Sequence, residues 1–136
     1  MNSFHVSILA ADEPLYEGPC QSLVVPMEDG QYGVMAGHIN VIGAIVPGKL
    51  TYWPPEGSKR IAAVSYGIFK VEDGNVLVMV NSAEHLEEID VARARRDAEE
   101  ARRILLEKRS QREYEAARID LARAMNRLRV HGHEEE

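Results

Sequence analysis

The sequence predicts an α+β chain, with a β body first and a pair of helices after it. Three observations carry that expectation. Nine of the ten glycines and all six prolines lie at or before Gly74, and the next glycine is Gly132. Turn-forming residues thus punctuate the first part, whereas residues 75–131, Asn81 included, hold nothing that breaks a helix. Apolar residues recur with a period of two before this point and of about 3.6 after it. Charge divides in a similar place: the basic residues of 1–83 are Lys49, Lys59, Arg60 and Lys70, while twelve of sixteen basic residues and fourteen of twenty-two acids fall in 84–136. Such mixing of signs suits solvated helix faces laced with (i, i+4) pairs.

Phe4, Val6 and Ile8 alternate with polar neighbours, as in a strand with one buried face. Ala11 to Pro14 reads as a turn. Short apolar runs follow at Ser22 to Val25, Tyr32 to Met35, Asn40 to Val46, Leu50 to Trp53, Ile61 to Ile68 and Val76 to Val80, each bounded by Gly, Pro, Asp or Asn. Seven or more short strands with regular turn signals predict a sandwich or a barrel. The clearest hairpin sets Phe69-Lys70-Val71 against Val76-Leu77-Val78 through Glu72-Asp73-Gly74-Asn75, where glycine takes the positive φ the turn demands.

In the second part Ala94, Ala98, Ala101 and Leu105 share one helix face with Ile104 at its edge, and Tyr114, Ala117, Leu121, Ala124 and Leu128 share one face of a second helix. Between them Ser110-Gln111-Arg112-Glu113 fits a capping box. Two helices with a tight joint form an antiparallel hairpin. Its seam is mostly alanine, which removes little apolar area from water, so the hairpin is expected to be weakly held. One continuous helix through Ser110 is also compatible with the sequence, since serine is a poor breaker. A segment able to fold back or extend is the material of switches.

At 136 residues and 45% hydrophobic content the chain is one domain, or a small domain with an appendage. A net charge of −6 with 6% aromatic residues leaves no basic, aromatic-studded surface, so nucleic acid is not an expected partner. No apolar run approaches the roughly 20 residues of a membrane span, and Met1 to Ala10 carry no leader pattern, so a cytosolic chain is expected. Cys20 stands alone, which precludes an internal disulfide and a thiolate zinc site and suggests a buried, inert thiol. The chain has no phosphate-cradling glycine loop, no Gly-x-Ser-x-Gly and no His-Glu-x-x-His, and is not expected to be an enzyme by itself. His131 and His133 with Glu134 to Glu136 read as a polar tail rather than a metal site, and His38 as a loop residue for contact or structure.

The arginines are more informative. Arg93 opens the first helix, while Arg123 and Arg127 are four apart on the second and project from one face. An antiparallel hairpin places the start of one helix beside the end of the other, which would gather these three guanidinium groups around a polyanion. They repel one another unless something negative lies between them, and planar bidentate donors suit phosphate oxygens. The simpler reading pairs Asp90 with Arg93 and Asp120 with Arg123 or Arg127 as ordinary surface ion pairs. Asp90 is also a suitable N-cap.

Three stretches together carry a family likeness. Pro26-Met27-Glu28-Asp29-Gly30-Gln31-Tyr32-Gly33-Val34-Met35-Ala36-Gly37-His38 ends a glycine-spaced loop in Gly-His, Ile89-Asp90-Val91-Ala92-Arg93-Ala94 fits an Ile/Leu-Asp-x-x-Arg-Ala motif, and Arg123-Ala124-Met125-Asn126-Arg127-Leu128 matches a second-helix segment. From about Phe4 to Val130 the chain resembles the epsilon subunit of F-type ATP synthase, in particular its ATP-binding bacterial members. The resemblance implies a β-sandwich over residues 1–84 that docks on the gamma subunit and the c-ring, and a helical hairpin over 85–136 that acts as a regulatory arm. In the family that arm folds down, or extends along gamma toward the alpha and beta subunits and inhibits ATP hydrolysis. It implies a non-catalytic rotor subunit, peripheral on the cytoplasmic face of the bacterial plasma membrane, with no required cofactor and ATP as a regulatory ligand.

Carried over by position, Gly30, Gln31, Gly33 and His38 would face the c-ring, with Gln31 where many relatives have an acid. Glu84, Ile89, Asp90, Arg93, Ala94, Arg123 and Arg127 would form the ATP site, with no metal among its parts. Glu100 stands where binding members often carry an arginine, with Arg96 and Arg103 one helical turn to either side. A separate reading is a coiled-coil adaptor or transcription-type factor, in which a β body carries a charged helical finger.

Overall fold

The computed structural model describes residues 2–11, 13–107 and 110–135, the last three by their backbone alone. The chain forms two compact units, Met1–Leu86 and Glu87–Glu136. The first contains ten strands: β1 (Phe4–Ala10), β2 (Pro14–Cys20), β3 (Ser22–Met27), β4 (Gly30–Met35), β5 (Val41–Ile45), β6 (Gly48–Trp53), β7 (Arg60–Val64), β8 (Gly67–Glu72), β9 (Asn75–Val80) and β10 (Ala83–His85). They form two five-stranded sheets, in the orders β2-β1-β9-β8-β5 and β10-β7-β6-β3-β4. Both sheets keep open edges, so the β body is a sandwich and not a barrel.

The core lies between the sheets and follows the period-two pattern. Phe4, Val6 and Ile8 are buried, and they meet Leu23, Val25, Val34, Leu50, Tyr52, Phe69, Val76 and Val78. Among the described residues all but one of the strand pairs run antiparallel. The exception is the pair β1–β9, which is parallel with Val6 opposite Val76 and Ile8 opposite Val78.

The β8–β9 hairpin has the expected register, Phe69 with Val78, Lys70 with Leu77 and Val71 with Val76. Its two-residue turn takes positive φ at both Asp73 (51°) and Gly74 (83°), as a turn matched to the strand twist requires. The Asp73 N–H also donates to Asn40 Oδ1 at 2.9 Å, tying this tip to the segment before β5.

Three features differ from the sequence reading. Strand β2 lies in a stretch where no strand was expected, because Pro14, Gly18 and Pro19 argue against one. It is an edge strand bonded only to β1, so a missing N–H is tolerated on its free side. The expected turn before it includes Asp12, which lies outside the described residues. The run Ile61 to Ile68 is two strands in different sheets. The chain crosses over at Ser65 and Tyr66, where the Ser65 N–H donates to the Ser82 carbonyl at 3.0 Å and the Ser82 N–H to Ser65 Oγ at 2.8 Å. Finally, β10 is a short edge strand on β7, with Glu84 opposite Ala63.

Cys20 is fully buried, and burial pushes its thiol up to about 11. Since the thiolate is the nucleophile, the folded chain at pH 8 is expected to resist iodoacetamide while the urea-unfolded chain reacts. Mass spectrometry after timed labelling checks this; equal labelling of both states would contradict it. The sign for stability follows. The unfolded thiol deprotonates near 8.5 while the folded one keeps its proton, so this group favours the fold below that pH, and its contribution is lost as pH rises toward the folded value.

The second unit contains α1 (Val91–Leu106) and α2 (Gln111–Glu135). Helix α1 ends with the Glu107 N–H bonded to the Arg103 carbonyl at 3.2 Å. Helix α2 opens on Ser110, whose Oγ accepts from the Glu113 N–H at 3.3 Å and donates to Glu113 Oε1 at 3.4 Å. Ala94, Ala98 and Ala101 of α1 are buried, as are Ala117 and Ala124 of α2. Tyr114 was expected on the same seam but is exposed. With Asp97 level with Arg127, Tyr114 falls past Leu106, where α1 has already ended.

Candidate functional site

The helices of the second unit run antiparallel. Arg127 Nη1 of α2 lies 3.9 Å from Asp97 Oδ2 of α1, and Arg102 Nη2 donates to Met125 Sδ at 3.2 Å. Small side chains along the seam let the backbones approach, and a cleft of about 310 Å³ opens between them. Its floor is Ala101, Ile104 and Ala124, and its charged rim is Asp97, Glu100, Asp120, Arg123 and Arg127.

Three acids and two arginines share this rim. Glu100 is bound by Arg103, which also holds Glu107, both through its guanidinium. These two acids raise the Arg103 pKa further and keep that guanidinium on its own helix. The Arg127–Asp97 pair across the hairpin is not among the ion pairs suggested by the sequence. Asp90 Oδ1 accepts from the Arg93 backbone N–H at 3.0 Å, acting as the N-cap of α1. Arg127 meets Asp97 rather than Asp120.

Of the residues proposed for an anion site, Arg123 and Arg127 are brought together on the cleft. Arg93 does not line it. It stands four residues before Asp97 on the same helical face, about 6 Å along the axis. Ala94 is fully buried in the helical unit, and Ile89 is buried just before its N-cap. Glu84 belongs to β10 in the sandwich unit.

The residues proposed to face a c-ring are not in one loop. Gly30, Gln31 and Gly33 lie on β4, the edge strand of the second sheet, with Gln31 opposite Pro26 and Gly33 opposite Val24. Only the segment beyond Met35 turns. There the His38 Nδ1 is 2.8 Å from the Ile39 carbonyl and must donate to it, which leaves Nε2 to accept from the Tyr32 hydroxyl at 2.9 Å in the neutral ring. Both ring nitrogens of His38 thus have partners within the sandwich unit, and Ile39 beside it is exposed. The His131 tail reading extends to His133 and Glu134 to Glu136, whose side chains lie outside the described residues. Among the described residues, no group of three or more His, Cys, Asp or Glu stands ready to hold a metal ion, and no helix is long and apolar enough to cross a membrane.

The sequence reading missed Asp97. The available signal was its spacing of four from Arg93, but its partner across the hairpin depends on the helix register.

Residues 3–86 match the family described as ATP synthase, delta/epsilon chain, β-sandwich domain, and residues 87–132 the corresponding long α-helix domain. The chain is 36% identical to the ATP synthase epsilon chain of Ruminococcus albus, over 96% of this chain and 97% of that one. It is 33% identical to the ATP synthase epsilon chain of Caldanaerobacter subterraneus subsp. tengcongensis, over 94% and 93%. Among solved structures, it is similar to a chain of the Euglena gracilis mitochondrial ATP synthase, OSCP/F1/c-ring in rotational state 1. That likeness has a TM-score of 0.78 and 25% identity, over 91% of this chain and 78% of that one. A chain of the Tetrahymena thermophila mitochondrial ATP synthase central stalk and c-ring shares the fold, with a TM-score of 0.56 and 12% identity over 97% and 96%.

Proposed function

The chain belongs to the ATP synthase delta/epsilon chain family, and from that premise we propose that it is a non-catalytic central-stalk subunit whose helical unit senses ATP. In this reading the sandwich docks on the gamma subunit and the c-ring of a proton-translocating F-type synthase at the cytoplasmic face of the bacterial plasma membrane. The helical unit either stays folded or extends toward the alpha and beta subunits and blocks ATP hydrolysis.

The observation that carries the nucleotide part is the placement of Arg123 and Arg127 on one cleft, with Arg93 a turn away along α1. A polyphosphate there would draw on Arg123 and Arg127 of α2 and on Arg93 of α1, two helices that are side by side only while the hairpin is folded. The extended arm parts Arg93 from the α2 pair and binds poorly, and only that difference in affinity can shift the equilibrium. At free ATP about 100 times the dissociation constant the folded form gains about 2.7 kcal/mol. That is comparable to what an alanine seam contributes, at about 25 cal/mol per Å² of the small apolar area each methyl buries. Plentiful ATP then keeps the arm down, and scarcity releases it.

Calorimetric titration of the whole chain with ATP tests this. The wild type is expected to bind, and an Arg123→Ala, Arg127→Ala double variant to lose about 100-fold or more in affinity, since each charge-assisted contact is worth about 1.5–3 kcal/mol. No binding heat from the wild type, or unchanged binding by the double variant, would overturn the nucleotide reading. Co-purification with gamma tests the docking reading separately.

A further inference from the structure

We infer that Asp97 sets how tightly this cleft holds a polyphosphate, by occupying with its own carboxylate the guanidinium that a phosphate would need. The inference rests on the nucleotide reading above and deepens it. Three acids line the cleft, but they are not equivalent. Glu100 is turned to Arg103 on its own helix. Asp120 lies on α2 with the arginines themselves. Asp97 reaches Arg127 from the opposite helix, and so stands where an anion held between the helices would stand.

The contact is long. At 3.9 Å it exceeds the 2.7–2.9 Å of a well-formed charge-assisted hydrogen bond, and its side chains are 36% and 46% exposed. Asp97 therefore attracts Arg127 across the hairpin through a long, half-exposed contact. A polyphosphate arriving in the cleft must displace this carboxylate from Arg127 and then sit beside it as a like charge. Both effects weaken binding, and neither requires any change in fold.

Removing Asp97 also removes an ion pair that closes the hairpin, which would weaken ligand binding instead. Magnitudes decide between the two. A half-exposed pair of this kind changes a folding equilibrium by a factor of about five at most. A full negative charge about 4 Å from the ligand position, partly screened by water, changes anion affinity by more than that. Relief of competition should win. A side chain that merely closed the hairpin would give the opposite sign, so the direction of the change identifies the role.

The test is titration of the full chain with ATP, and separately with inorganic tripolyphosphate, for the wild type, Asp97→Asn and Asp97→Ala at matched ionic strength. Circular dichroism of the ligand-free proteins is recorded beside it. Asp97→Asn is expected to bind both ligands about tenfold more tightly with unchanged helix content. Asp97→Ala, which removes the charge while favouring the helix, should show the same gain if the asparagine variant loses helix. Affinity that is unchanged or weaker in both variants, with the wild type still binding, overturns the role of Asp97 alone. No binding by any of the three proteins overturns the nucleotide reading and this inference with it.

Discussion

Phe69→Ala is expected to lower the stability of the sandwich unit by about 3–5 kcal/mol, the range for emptying an aromatic site in a packed core. The ring is fully buried in β8 and does more than fill volume. Gly43 of β5 lies directly across from it, and the ring covers that glycine so closely that a Cβ there would come within 2.7 Å of the Phe69 Cζ. Tyr32 packs on it from the other sheet with ring centroids 5.4 Å apart. Removing the phenyl group thus leaves a cavity bounded on one side by a residue with no side chain to collapse into it. Urea denaturation followed by the fluorescence of Trp53, the single tryptophan and a residue of β6, measures the loss. A midpoint shift equivalent to less than about 1 kcal/mol would show that the site collapses after all.

Gly67→Ala is the second large effect, about 2–4 kcal/mol by the cost of overpacking where the obstacle cannot rotate away. Gly67 begins β8 where the chain has just crossed from one sheet to the other. A Cβ there would overlap the Met79 carbonyl oxygen and approach the Val80 Cα at 2.7 Å. These are backbone atoms of the neighbouring strand, so relief requires moving β9, whose other edge holds β1. Gly33→Ala is the control, since a Cβ at Gly33 meets nothing within 4 Å. A Gly67→Ala protein as stable as the Gly33→Ala protein would contradict the argument.

What could be read in advance depended on how local the cause was. The β8–β9 hairpin was legible because Asp73-Gly74 and the flanking alternation specify both turn and register within a few residues. The strand pattern alone left sandwich and barrel open, since strand order is a property of distant pairings; the sandwich was predicted only through the family resemblance, and it is the fold observed. Strand β2 was hidden because its prolines are forbidden only where both edges bond, and its edge position cannot be seen from the sequence. The change of sheet inside Ile61 to Ile68 was hidden for a similar reason. Its local marks are one hydroxyl at Ser65 and one missing side chain at Gly67. At the candidate site, the (i, i+4) spacing of Arg123 and Arg127 was visible. Which acid faces them was not, because it is fixed by how the two helices are set level with one another.

The parallel pairing of β1 with β9 bears on how the protein is made. Residues 4–10 leave the ribosome long before their inner neighbour, residues 75–80, which is synthesised only after seven other strands' worth of chain, with turns, has passed. Until then β1 has its hairpin partner β2 and an open flank, so completion of the first sheet is a non-local and comparatively slow event. Every strand is nevertheless complete by His85, before either helix begins. Translation that stopped shortly after Leu86 would release a sandwich with all its strand partners present, so birth order separates the β unit from the helical one.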